Sequence, residues 1–145
     1  MIYRAHRGNI NGINTDRENH PDYITEALKK DFNVEIDVWF DDNKWILGHD
    51  VPEYEIKLEF LYNRFLWCHA KNIDALQTMR NSGIHCFWHQ NDDVVLTSKG
   101  YLWTFPGKKL FNLSICVMPE AANYKNKEIH SAFGICSDFI ERYRK

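Results

Sequence analysis

Short β-prone runs recur along this chain, and each ends in polar or charged residues. They occupy residues 2–5, 34–40, 65–68, 84–88, 101–104, 113–117 and 133–136. The polar groups after them are, in order, His6-Arg7, Asp41-Asp42, His69 to Lys71, His89-Gln90, Lys108-Lys109, Glu120 and Ser137-Asp138. Residues 45–47 form a further run before His49-Asp50 and read as a hairpin arm. Between runs, residues 21–32 read as a helix, with Pro21 in the first turn and Ile24, Ala27 and Leu28 at helical spacing. Residues 72–82 read as a second, with Asn72 as N-cap, Ile73, Leu76 and Met79 on one face, and Gly83 at the stop. Residues 57–64 read as a third, shorter helix. Strands alternating with helices predict a parallel sheet. Polar groups gathered at C-terminal strand ends are how a (β/α) barrel builds its active site.

A full eight-unit barrel takes roughly 200 residues or more, and this chain has 145. The expectation is therefore an α/β fold: a compact, simplified or incomplete (β/α) TIM-type barrel with several helices shortened to loops, formed by residues 1–145 as one domain. A doubly wound open sheet is the alternative, but no Gly-x-Gly-x-x-Gly follows the first run. A net charge of −2 gives no reason to expect nucleic acid or an anionic membrane as partner. The basic cluster Arg142, Arg144 and Lys145 reads as a solvated tail. No apolar stretch approaches the roughly 20 residues a membrane span needs, and the start lacks the apolar segment of a signal peptide. Cys68, Cys86, Cys116 and Cys136 form no Cys-x-x-Cys pair, and each lies in an apolar run. They read as free, buried thiols of a reduced, cytoplasmic protein.

In the run Val34-Glu35-Ile36-Asp37-Val38, strand geometry puts both acids on one face, alternating with the apolar residues. Acids are rarely buried without a partner. Two carboxylates on one strand face can converge on a hard divalent cation. Twelve residues later comes Gly48-His49-Asp50, and the first run ends in His6-Arg7-Gly8. Two imidazoles can divide proton transfer between them, and Arg7 and Lys71 can bind phosphate oxygens.

The ordered set His6-Arg7-Gly8, Glu18-Asn19, Glu35-x-Asp37 and His49-Asp50 resembles the glycerophosphodiester phosphodiesterase family. His69-Ala70-Lys71 lies where that family carries Glu-x-Lys, and Gly134 to Asp138 is similar to its closing strand. Little resembles it between residues 84 and 132, and the family's insertion after the second strand is missing. The resemblance implies a metal-dependent phosphodiesterase acting on a small-molecule glycerophosphodiester. It implies His6 and His49 as catalytic residues, and Glu35, Asp37 and position 69 as ligands of one divalent metal ion. Arg7 and Lys71 would bind substrate. Mg²⁺ or Ca²⁺ is the first expectation for the ion; a histidine at position 69 brings in Zn²⁺ or Mn²⁺.

Blander readings stand beside these. His69 could line the pocket without touching a metal, and Glu120 could supply the third carboxylate instead. Glu18-Asn19 reads equally as a support or cap before the helix at Pro21 and as part of the site; His20 reads as a surface loop residue. His89, Gln90, Asn91, Trp103 and Thr104 are expected to line the pocket, with His85 and His130 structural. Two other functions compete. One is a phospholipase-type lyase that stops at a cyclic phosphate. The other is a non-catalytic module that binds a phosphorylated ligand.

Overall fold

A computed structural model describes residues 1–144. Ten strands form one sheet: β1 (Ile2–His6), β2 (Asn33–Asp41), β3 (Lys44–Leu47), β4 (Tyr54–Ile56), β5 (Leu66–Ala70), β6 (Cys86–Phe87), β7 (Val94–Leu96), β8 (Leu102–Thr104), β9 (Ser114–Val117) and β10 (Gly134–Ser137). The helices are α1 (Pro21–Lys29), α2 (Leu58–Leu61), α3 (Ile73–Asn81) and α4 (Asn126–Ile129), with 3-10 turns at Pro119–Ala121 and Ile140–Tyr143.

A parallel stretch runs β6-β5-β2-β1-β10-β9-β8. Antiparallel arms join it. Strand β2 outruns β1, and its free second half pairs with β3, which pairs with β4. At the other end β7 runs antiparallel to β8. Strands β6 and β8 share no ladder, so the sheet curls into a half-barrel without closing.

This corrects the expected (β/α) TIM-type barrel. In that fold every strand is followed by a helix; here the sheet is mixed, and only α1 and α3 reach nine residues. The reason lies in residues 88–113. Gly100, Pro106, Gly107 and a run of charged residues carry no apolar 3.6-residue period. That stretch cannot cover the sheet with helices, so the chain adds an antiparallel strand instead. Strands β4 and β7 and helix α4 had no sequence signal strong enough to be read.

The two real helices form for local reasons. His20 is the N-cap of α1, its ring accepting from the Asp22 amide, and Pro21 sits in the first turn; it is thus more than a loop residue. Asn72 caps α3 by accepting from the Ala75 amide at 3.0 Å. The same side chain exchanges two hydrogen bonds with the backbone of Phe40, tying α3 to β2. Ile24 and Ala27 of α1 and Ala75 and Met79 of α3 are buried against the outer face of the sheet, where Ala5, Val34, Ile36, Val38 and Cys68 lie.

The inner face holds a separate cluster: Trp67, Phe87, Trp103, Ile115, Val117 and Cys136. All four cysteines are free and buried. Arg144 is no free tail residue: it donates to the Lys30 carbonyl at 2.6 Å and its guanidinium lies over Phe32. Lys145, read with it as a tail, lies outside the described residues. Among the described residues no helix is long and apolar enough to cross a membrane.

Packing of the outer face gives a direct expectation. Ile36 is fully buried there, so Ile36→Ala should lower unfolding free energy by about 3 kcal/mol, the usual cost of such a cavity. Chemical denaturation checks this, and a loss below about 1 kcal/mol would mean that the β2 core is not packed as described.

Candidate active site

The register of the parallel strands builds the site. Strand β1 pairs with β2 so that His6 lies beside Glu35, and β2 pairs with β5 so that Asp37 lies beside His69. Pairing of Ala5 with Ser137 in β10 brings the next residue, Asp138, to His6. Inward side chains thus meet at one place: His6 ends β1, Glu35 and Asp37 lie midway along β2, His69 is next to last in β5, and Asp138 follows β10. That place opens on a cavity of about 430 Å³ whose wall includes His6, Arg7, Glu35, His49, His69 and Lys71. A larger cavity, about 760 Å³, lies around Lys108 and Tyr124, away from these residues; the smaller one is where the buried titratable groups converge.

Asp37 is fully buried and the best-partnered group of the site. Asn19 donates to its Oδ2 at 2.9 Å and accepts from its backbone amide at 2.9 Å. Arg7 Nε lies 3.0 Å from Oδ2, though off the hydrogen-bond direction. His69 Nδ1 lies 3.0 Å from Oδ1, and Lys71 Nζ 3.7 Å. Burial pushes this carboxyl up, but the His69 contact and the Arg7 charge outweigh it and hold Asp37 below the usual carboxylate range.

Glu35 is the opposite case. It is equally buried, yet its Oε2 has no hydrogen-bond partner among the described residues. The nearest cationic groups are His6 Nε2 at 3.8 Å and His69 Nδ1 at 3.9 Å. Burial, then the charge of Asp37, push its carboxyl up.

His6 is oriented by Asp138, to which Nδ1 donates at 2.7 Å. Asn9 fixes Asp138 in turn, donating to the same oxygen at 2.8 Å and to Glu18 at 2.7 Å. The other ring nitrogen, Nε2, is left facing Glu35 and the cavity. Burial disfavours charge on this ring, but the bond to Asp138 and the charge of Glu35 outweigh it and raise its pKa.

His49 sits on the loop after β3 and is partly exposed. Gly48 sets its position. The Gly48 amide donates to the Asp37 carbonyl at 3.2 Å and its own carbonyl accepts from Trp39 Nε1 at 2.7 Å. Its φ of +154° lies outside the ordinary range of L side chains, and a Cβ there would collide with the Val51 carbonyl. Burial, with the charges of Arg7 and Lys71, keeps the His49 imidazole below its ordinary pKa against the pull of Asp37.

The ring of His69 carries the most specific information. Its Nε2 faces the His89 carbonyl at 3.1 Å; a carbonyl only accepts, so Nε2 bears the proton. In the neutral ring, Nδ1 then presents a lone pair towards the oxygens of Asp37 and Glu35. That arrangement is repulsive unless a cation lies between them or Nδ1 gains a second proton. One donor atom each from Glu35, Asp37 and His69 lie within 4.8 Å of one another. This donor set, with the unpartnered Glu35 oxygen, fits a single divalent ion. Imidazole nitrogen beside two carboxylates suits Zn²⁺ or Mn²⁺ better than the all-oxygen preference of Mg²⁺ or Ca²⁺.

Six of the seven residues expected from sequence line one cavity, and Asp37 lies behind its wall against Arg7, His69 and Lys71. Glu120 does neither: it accepts from Ser137 Oγ at 2.7 Å and from the Asp138 amide, outside the acidic group. Among the expected pocket residues, His89, Gln90 and Trp103 line the cavity, whereas Thr104 is turned away to Ser114. Sequence reasoning missed Asn9 altogether and saw Asp138 only as a strand end. Nothing local marks either one as part of the site, because the contacts that join Asp138 to His6 and to Asn9 span 132 and 129 residues. Trp67, His85 and Tyr101 form an aromatic group at the other end of the curl. No protein-family model, curated protein or solved structure matches the chain.

Proposed function

We propose that this cavity is the active site of a metal-dependent phosphodiesterase of the glycerophosphodiester phosphodiesterase type. What supports the reading is the convergence of Glu35, Asp37 and His69 on one point, flanked by His6 and His49 and bordered by Arg7 and Lys71. A pure phosphate-binding module has no use for two buried acids and two imidazoles around one cavity. A metal ion bound by the three donors would neutralise charge on a non-bridging phosphate oxygen and on the attacking oxygen.

The chain's own groups account for the rest. Lys71 and Arg7 offer positive charge to the phosphate, although Arg7 is also engaged by Asp37 and Glu18. A neighbouring hydroxyl of the substrate attacks phosphorus, one imidazole accepts its proton, and the other protonates the departing alkoxide oxygen. The products of that step are a cyclic phosphate and an alcohol. Water then opens the ring in the reverse sense, giving a phosphomonoester. Asp138 and Asn9 keep the His6 ring in the orientation that puts Nε2 at the cavity. A lyase would share all these residues and stop at the cyclic product, so ³¹P NMR of the products separates the two readings.

Turnover of a glycerophosphodiester, measured with and without chelator, is the direct test, and activity indifferent to chelator would exclude the metal-assisted reading. His6→Ala and His49→Ala should each lower kcat at least about a hundredfold with the fold intact by circular dichroism, the low end of acid–base contributions. Near-full turnover in either folded variant would end the two-imidazole mechanism.

Glu35 gives a second expectation, separating stability from activity. Its buried carboxylate is poorly compensated, so Glu35→Gln should leave the Tm of the metal-free protein unchanged or raise it, while abolishing chelator-sensitive turnover. A marked drop in Tm would mean that Glu35 is a structural partner rather than a metal ligand. His69 gives a third. His69→Glu should tighten Mg²⁺ binding and weaken the preference for Zn²⁺ or Mn²⁺ in titration calorimetry. Wild-type binding should weaken as pH falls, because only the deprotonated imidazole ligates. Affinities unchanged for every ion would show that His69 is not a ligand.

A further inference from the structure

At the opposite end of the curl, Arg4 projects from β1 into the interior and is fully buried. Its guanidinium lies over the Trp67 ring, 3.6 Å from the centroid. Nη1 donates weakly to the Ile2 carbonyl at 3.4 Å, and Nε and Nη2 have no hydrogen-bond partner among the described residues. No carboxylate of the described residues compensates it. Burial pulls its pKa down to about 9. An arginine in this state needs a counter-charge.

Directly beyond lies a pocket of about 610 Å³. Trp67 and Ile2, the two residues on which Arg4 leans, are both in its wall. The wall also carries Arg64 and Lys99 and contains no Asp or Glu. His85 adds no compensating charge: burial, with Arg4 and Lys99, holds its pKa to about 4. Aromatic rings make up much of the remaining wall, and two of them, Tyr62 and Phe65, are 55% and 43% exposed. Two cations in the wall, a third behind Trp67, no acid in the wall, and exposed flat apolar surface are a complementary set.

We propose that this pocket binds a small organic oxyanion, a carboxylate or phosphate on a flat apolar body. Lys99 and Arg64 would hold the anionic group near the mouth, the aromatic rings would take its body, and Arg4 would act from behind the wall as a fixed positive charge. The site is separate from the acidic cavity and independent of its chemistry.

The test is titration calorimetry of the chelator-treated full chain with benzoate and with phenyl phosphate. Saturable binding is expected, weakened at least about tenfold in the Arg64→Ala/Lys99→Ala double variant, the scale of lost charge-assisted contacts. Both substitutions are at exposed positions, so the double variant retains the fold. Arg4→Met, where it melts cooperatively, should weaken binding similarly. Lys71→Ala, at the acidic cavity, should leave the affinity within about twofold, well inside one charged contact. Absence of saturable binding of either anion would overturn the proposal. So would binding that survives the double variant, or binding that disappears in Lys71→Ala.

Discussion

Two carboxylates buried side by side on one strand set the terms for one end of this protein. Glu35 and Asp37 face the interior of the curled sheet with almost no solvent access. Leaving both charged in that setting is costly unless each is paired. The chain responds asymmetrically. Asp37 receives Asn19, Arg7, His69 and Lys71. Glu35 receives only distant imidazoles. The backbone is shaped to make this possible. Arg7 and Asn19 both adopt left-handed φ values, 53° and 61°, and the Asn19 amide donates to the Arg7 carbonyl at 3.1 Å. Strained non-glycine positions of this kind persist where surrounding contacts over-determine them, and they cluster at functional sites.

Charge balance around the cavity points the same way. The carboxylates of Glu18, Glu35, Asp37 and Asp138 outnumber the fixed cations Arg7 and Lys71. Protonated histidines, a bound cation or a neutral Glu35 carboxyl, which burial favours, must supply the difference. Protonating His6 is already favoured by Asp138. At His69 the proton and the metal compete for the same nitrogen, because the other one is committed to the His89 carbonyl. In the proposed metal site, His69 is thus the ligand that would decide the identity of the ion.

How much of this was legible in the sequence depends on the range of the interactions. Strand positions were readable because apolar runs and their polar ends are local signals. The hairpin arm at β3 and both nine-residue helices were readable for the same reason: Pro21, Asn72 and Gly83 mark their ends. The fold class was not, because it depends on what covers the sheet. Residues 88–113 had a strand rhythm but no helical period, and strand β7 turned antiparallel where only a loop was expected. In the site, Glu35 and Asp37 were conspicuous as acids in an apolar run. The partners of His6 were not, since Asp138 reaches it through the pairing of the first strand with the last, a register no local pattern encodes.

The unclosed sheet has a consequence for the cavity wall. Between β6 and β8 no ladder exists, and the seam is held by other means. Ser98 exchanges hydrogen bonds with the Cys86 backbone and donates to the Ile84 carbonyl, while Phe87 packs on Trp103 with centroids 4.6 Å apart. Above that seam the cavity is walled by His89, Phe105 and Trp103, with the His89 and Phe105 rings 4.4 Å apart. Side-chain packing resists opening less than a continuous ladder, because it lacks the repeated backbone bonds that must break together. The acids and His6 therefore stand on the rigid parallel centre of the sheet, whereas the wall opposite them is held by aromatic contacts.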